Sequence, residues 1–187
     1  MPITTLDTCT ALIAVDLQAG IVAYPMAHAP DDVVGRAAQL AAAFRRHNLP
    51  VVLVNVAGNA PGRTDQGSGN HEVAAGWSDL VPELNQHPDD HTVTKLTWGA
   101  FHKSALDEHL RDLGVTQIVL TGIATSIGVE STARSAYEHG FNVTLAIDAM
   151  TDISGVNHLH SITNIFPMLG ETGTTAEILK MLDKTRS

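Results

Sequence analysis

A chain of 187 residues, 44% apolar and 17% charged, has the size and make-up of one folded domain, residues 1–187, and argues against disorder. Its formal net charge of −9 repels phosphate backbones, and no run of Lys or Arg offsets it, so nucleic acid is not an expected partner. The one cysteine, Cys9, cannot form an internal disulfide, residues 1–10 lack the pattern of a signal peptide, and no apolar stretch approaches the roughly 18 residues of a membrane span. A cytoplasmic protein with no membrane contact is expected.

Taken in chain order, short apolar runs alternate with longer amphipathic segments. Residues 11–16 (ALIAVD) read as a buried strand ending on an acid. Residues 31–48 have helical periodicity, with Val33, Val34, Ala37, Leu40, Ala41 and Phe44 on one side. Residues 50–56 read as a second strand. The polar, glycine-rich stretch 57–70 reads as a long loop, and loops of that length are usually functional. A short extended piece at 91–94 precedes a helix at 103–113, with Leu106, Leu110 and Leu113 on one face. A strand at 117–121, a helix at 126–139 stopped by Gly140, and a strand at 142–147 follow. Residues 156–166 read as a helix ending before Pro167. A last short strand at Thr172 and Gly173 and a helix at 175–183 close the chain. Buried strands alternating with helices predict an α/β fold, a parallel sheet covered on both faces.

Ligands of open parallel sheets bind beyond the carboxyl ends of the strands. That rule nominates Asp16 and Gln18 after the first strand. It nominates Lys95, then Trp98 and Phe101, after the third. After the fourth it nominates residues 122–128. Asp16 closes an apolar strand, and a buried carboxylate needs a cation, hydrogen bonds or a proton. Lys95, also at a strand end, is the candidate cation; a turn cap and a surface lysine are the alternative. Thr125 or Ser126 can cap the helix that follows. Gly128 then falls in its first turn, where free amides favour negative charge, unless the glycine serves only helix–sheet packing. Aromatic residues are scarce, so Trp98 and Phe101 are candidates for pocket walls, with core packing as the rival reading.

Three segments together resemble the isochorismatase-like hydrolases: VDLQ (15–18), KxxxGAF (95–101) and GIATSIGVESTA (122–133), followed by AIDA (146–149). The resemblance covers most of the chain. It implies a three-layer α/β/α fold with a six-stranded parallel sheet, a small-molecule substrate, no cofactor, and self-association as a homo-oligomer. Residues 128 onward and 153–166 are candidates for the interface. It implies a site of Asp, Lys and Cys, of which Asp16 and Lys95 match the first two. The cysteine position is Gly128. It also implies a cis peptide between Ile123 and Ala124, whose surrounding amides, with that of Gly128, would form an oxyanion site.

The departure at Gly128 removes the covalent nucleophile that amidase members use. Cys9 cannot replace it, because it precedes the first strand while Asp16 ends it, about 20 Å away at ~3.3 Å per residue. Ser126 or Ser131 would make a serine-dependent amidase, the second alternative. Members that cleave a vinyl ether also carry glycine here and rely on a general acid, a role open to Asp16 with Lys95 as its electrostatic partner. A dicarboxylate substrate would need further cations, for which Arg63 is a candidate. Some members bind a metal through Asp-x-His after the second strand. Here that stretch reads Val56-Ala57-Gly58-Asn59, with His71 further on, and no metal is expected. The leading expectation is a hydrolase working by acid–base chemistry at Asp16 and Lys95. A catalytically inactive relative that binds a ligand or serves assembly is the first alternative.

Overall fold

The structure, a computed structural model, describes residues 3–65, 67–68 and 73–185. Six strands form: β1 (Thr10–Val15), β2 (Val51–Val56), β3 (His91–Lys95), β4 (Gln117–Ile123), β5 (Asn142–Thr151) and β6 (Glu171–Gly173). They make one parallel sheet in the order β3-β2-β1-β4-β5-β6. The helices are α1 (Ala19–Val22), α2 (Pro30–Arg46), α3 (Leu106–Asp112), α4 (Glu130–Glu138), α5 (Gly155–His160), α6 (Phe166–Leu169) and α7 (Thr175–Thr185). The long loop after β2 carries a two-residue ribbon, Arg63–Thr64 against Gly67–Ser68.

The sheet separates two apolar layers, and β1 feeds both. Leu12 and Ala14 pack with Phe44 and Leu40 of α2 and with Ile178 and Leu182 of α7. Ala11, Ile13 and Val15 pack with Leu106 and Leu110 of α3, Ala133 and Ala136 of α4, and Phe166 of α6. Period-two alternation therefore splits a continuous apolar run between two helical layers, which is why every residue of β1 is buried. Among the described residues no helix is long and apolar enough to cross a membrane.

Three predicted boundaries move. The helix expected from Lys103 begins at Leu106. Lys103 sits at φ 53, and the Ser104 hydroxyl donates to the Ala100 carbonyl at 2.5 Å, so the chain is still turning there. The helix expected to end before Pro167 runs on to Leu169. A π-helical turn at Ser161–Ile165 runs without a break into α6, so the proline lies inside a continuous helix, and the widened turn before it accommodates the missing N–H. Strand β5 continues to Thr151 rather than stopping at Ile147, with a register shift against β4 between Leu120 and Gly122.

Candidate active site

Strand order reverses at β1. Its neighbours are β2 on one side and β4 on the other, so a crevice opens beyond the carboxyl ends of β1 and β4. Asp16 enters it directly from β1. Its φ of 54 lies in the left-handed region, which a short polar side chain tolerates better than a branched one. The Asp16 N–H stays tied to the sheet through the Val54 carbonyl at 2.8 Å.

Lys95 ends the edge strand β3, two strands and roughly 10 Å from β1, a span that calls for a long side chain. Its Nζ donates to Asp16 Oδ2 at 2.7 Å and to the Thr97 carbonyl at 3.1 Å. The two residues are 5% and 3% exposed, so this is a buried ion pair. The pair is incomplete: among the described residues Asp16 Oδ1 has no hydrogen-bond partner. Burial pushes the Asp16 carboxyl up from 3.8 to about 6, against the opposing pull of the Lys95 charge and hydrogen bond.

The opposite wall is a π-helical turn, Thr125–Val129, closed by the Val129 N–H on the Ala124 carbonyl five residues back. The Ile123–Ala124 peptide that leads into it is cis. Gly128 faces the carboxylate so closely that a β-carbon there would lie 2.9 Å from Asp16 Oδ2 and 3.2 Å from Val15 Cγ1. Any larger residue, cysteine included, would have to displace the carboxylate. Gly122, at φ 129, admits the approach of β4 to β1, since its β-carbon would fall 2.0 Å from the Val15 carbonyl oxygen.

These elements enclose a cavity of about 250 Å³ bordered by Asp16, Lys95, Ala124, Gly128 and Trp98, together with Thr97, Tyr24, Asn59 and a set of apolar side chains. Two expected pocket residues do not border it. Phe101 is 8% exposed and belongs to the helical layer, stacked on His139 and tilted against Phe141 at centroid distances of 5.3 and 6.0 Å. The turn after Lys95 delivers Trp98 to the cavity and sends Phe101, three residues later, back into the core. Gln18 is fully buried behind the wall. Its Oε1 accepts the Val56 N–H at 2.7 Å, and its Nε2 donates to the carbonyls of Val56 and Trp77 at 3.0 and 3.2 Å. It fastens the end of β2 and the Trp77 segment to the end of β1.

Trp77 lies against Gly20 of α1, where a β-carbon would come within 2.0 Å of its Cδ1. Neither Ser126 nor Ser131 borders the cavity. The Ser126 hydroxyl donates to Asp152 Oδ2 at 2.8 Å, and the Ser131 carbonyl accepts the Ser135 hydroxyl at 3.1 Å. Cys9 sits before β1, at the other end of the sheet, with its thiol on the Leu113 carbonyl at 3.2 Å. Arg63 is exposed on the ribbon and does not line the cavity. His71 lies outside the described residues. Among those described, no group of three or more His, Cys, Asp or Glu is placed to hold a metal ion.

Sequence reasoning passed over Asp152, which is 1% exposed and follows β5. Its Oδ2 accepts both the N–H and the hydroxyl of Ser126, at 2.7 and 2.8 Å, and its Oδ1 accepts the Ser154 N–H at 3.1 Å. It anchors the π turn that carries Gly128. The rule that nominates residues after strands would have found it had β5 been read to its true end.

A family model for the isochorismatase domain matches residues 10–177. The chain is 41% identical to the isochorismatase family protein YwoC of Bacillus subtilis over 180 residues, covering 92% of this chain and 94% of that one. It is 39% identical to YecD of Escherichia coli O157:H7 over 180 residues, covering 92% and 96%. A solved structure of an isochorismatase family protein from Burkholderia thailandensis superposes with a TM-score of 0.92 at 44% identity, over 96% of this chain and 98% of that one.

Proposed function

The chain belongs to the isochorismatase family of hydrolases, and we propose that it hydrolyses a small organic molecule by proton transfer at Asp16, without a covalent nucleophile. The observation that carries this reading is the half-satisfied carboxylate. Lys95 holds Oδ2 at 2.7 Å, while the buried Oδ1 is unpartnered on a residue that borders the cavity. With its carboxyl pushed up to about 6, Asp16 retains a proton at mildly acidic pH and can give it to a substrate atom. For an enol ether, that proton goes to carbon, water adds to the resulting oxocarbenium ion, and the proton lost by the water returns to Asp16. The hemiketal so formed collapses, its hydroxyl proton passing to the ether oxygen as that C–O bond breaks to release an alcohol and a carbonyl product. Lys95 steadies the carboxylate between the two steps. The backbone at Ala124 and Gly128 supplies the wall against which the reacting group lies.

Gly128 leaves no side chain to acylate, and the serine alternative has little support, since the Ser126 hydroxyl is committed to Asp152 away from the cavity. The test is turnover across amides, ureas and enol ethers by the wild type and by Asp16→Ala. Hydrolysis of one class, lost in the variant, is expected. Hydrolysis by Asp16→Ala at the wild-type rate would overturn the reading, and no turnover of any class would favour a ligand-binding relative.

We read the protein as a cytoplasmic homo-oligomer. Ile153, Val156 and Leu159 are 63%, 79% and 59% exposed on one short segment, an apolar surface suited to a second copy. The apolar face of α4 does not contribute, because Ala133 and Ala136 pack into the core. Light scattering at micromolar concentration should show more than a monomer.

A further inference from the structure

Resting on the reading of this cavity as the substrate site, we infer that it takes an uncharged molecule with a compact apolar body and one polar end, and that it turns dicarboxylates away. Size gives the first bound. At about 250 Å³ the cavity falls below the range that houses drug-sized ligands, about 300–1,000 Å³. Its walls give the second. Ile21, Met26, Trp77, Ile123, Ile127 and Ile153 surround the ligand space with hydrocarbon and indole.

Charge gives the third bound. Among the described lining residues the only members of the Asp, Glu, His, Lys and Arg set are Asp16 and Lys95, and they neutralise each other at 2.7 Å. The Lys95 ammonium already donates to Asp16 and to the Thr97 carbonyl. A ligand carboxylate would enter a largely apolar pocket with no cation assigned to it, and a second one would compound that cost. The net charge of −9 on the whole chain adds repulsion at longer range. Arg63, the one cation the loop offered for a carboxylate, is exposed on the ribbon and absent from the lining.

Tyr24 and Asn59 also bring polar groups to the lining, but two buried polar atoms there stand out as receptors. Asp16 Oδ1 and Thr97 Oγ1 are buried atoms without hydrogen-bond partners among the described residues, and both residues border the cavity. An ionised Asp16 accepts, while the Thr97 hydroxyl can donate or accept. A ligand hydroxyl, carbonyl or amide brought to this corner satisfies both, and the apolar remainder lies along the isoleucine walls. Thr97 is thus a specificity-determining residue, fixed beside Lys95 by its own carbonyl.

The chain has two tryptophans, Trp77 and Trp98, and both border the cavity, so intrinsic fluorescence reads its occupancy. Benzyl alcohol, benzoate and phthalate present one ring with no, one and two negative charges in neutral buffer. Benzyl alcohol should shift the emission saturably, and phthalate should leave it unchanged at about tenfold higher concentration. Thr97→Val should weaken benzyl alcohol roughly three- to tenfold, and Thr97→Ser should restore it. Tyr24→Arg, at a rim position 49% exposed, should bring phthalate binding into range. Phthalate binding to the wild type as tightly as benzyl alcohol, or no response to benzyl alcohol, would overturn the inference. The experiment reads binding and not turnover, so it stands or falls separately from the hydrolytic reading.

Discussion

Strand β3 has an ion pair at each end, one buried and one partly buried, and the two pairs differ in completeness. Asp90, just before the strand, has a side chain 2% exposed and every oxygen engaged. Arg45 donates to Oδ1 through Nε at 3.0 Å and to Oδ2 through Nη2 at 2.7 Å, and the His87 N–H adds a third bond at 2.8 Å. The Arg45 guanidinium also holds the Leu84 carbonyl at 3.2 Å. At the far end, Asp16 receives a single bond from Lys95, and its Oδ1 has no partner among the described residues. A planar fork suits closure of a structural contact, whereas a point charge on one oxygen leaves the other free for a ligand. Completeness separates the pair that holds the fold from the pair that faces the cavity, although the carboxylate of each is buried.

The largest effect that would break this comparison is on turnover. Asp16→Asn keeps the shape and removes the titrating proton, and should cut turnover about 10²- to 10⁴-fold in steady-state assays. Retention of turnover would place both pairs in the structural class. Next in size, Arg45→Ala leaves the Asp90 carboxylate buried without its cation. A loss of about 3 kcal/mol in denaturant unfolding is expected, with turnover and benzyl alcohol binding unchanged.

The pH dependence sharpens the contrast further. Asp16 must carry its proton to act as an acid, so kcat should fall as pH rises through about 6. The sign for stability is the same. The folded-state pKa is raised from 3.8 to about 6, so the Asp16 contribution is fully present below 3.8 and is lost as pH climbs through about 6. Unfolding curves of wild type and Asp16→Asn compared across that window should converge or diverge accordingly, and parallel curves would contradict the assignment. The smallest effect lies near Asp90. His91 stacks on His109 with centroids 3.6 Å apart, and burial followed by the neighbouring imidazole lowers its pKa from 6.5. The stability contribution of His91 is present above 6.5 and lost on acidification, the opposite slope, and His109→Phe, which keeps the burial and removes only the neighbouring charge, should make it slightly shallower.

The fold was legible because the central strands β1, β2 and β4 are compact apolar runs and β1 is buried on both faces, whereas the edge strands β3 (HTVTK) and β6 (ETG) carry little apolar signal. The Asp16–Lys95 pairing was legible from strand ends alone, since parallel sheets bring those ends together. Gln18 and Phe101 were misplaced for a common reason. Proximity in sequence to a site residue does not say which way a turn sends the next side chain, and here both turn away to clamp or pack. Asp152 went unseen because β5 outlasts its apolar run. Its last residues stay in the sheet through the register shift opposite Leu120 and Gly122, a feature of pairing that no single strand's pattern carries. Thr97 and Trp77 lie in segments without periodicity, where only the closed structure shows what they face.

Gly20 never borders the cavity, yet its missing methyl sets where the Trp77 indole rests. Cavity depth is therefore inherited at a position that does not meet the ligand. A lineage could retune its substrate range by adding one carbon there, leaving every lining residue intact. A mutagenesis library confined to the walls would never sample that change, and related chains with identical walls can differ in what they admit.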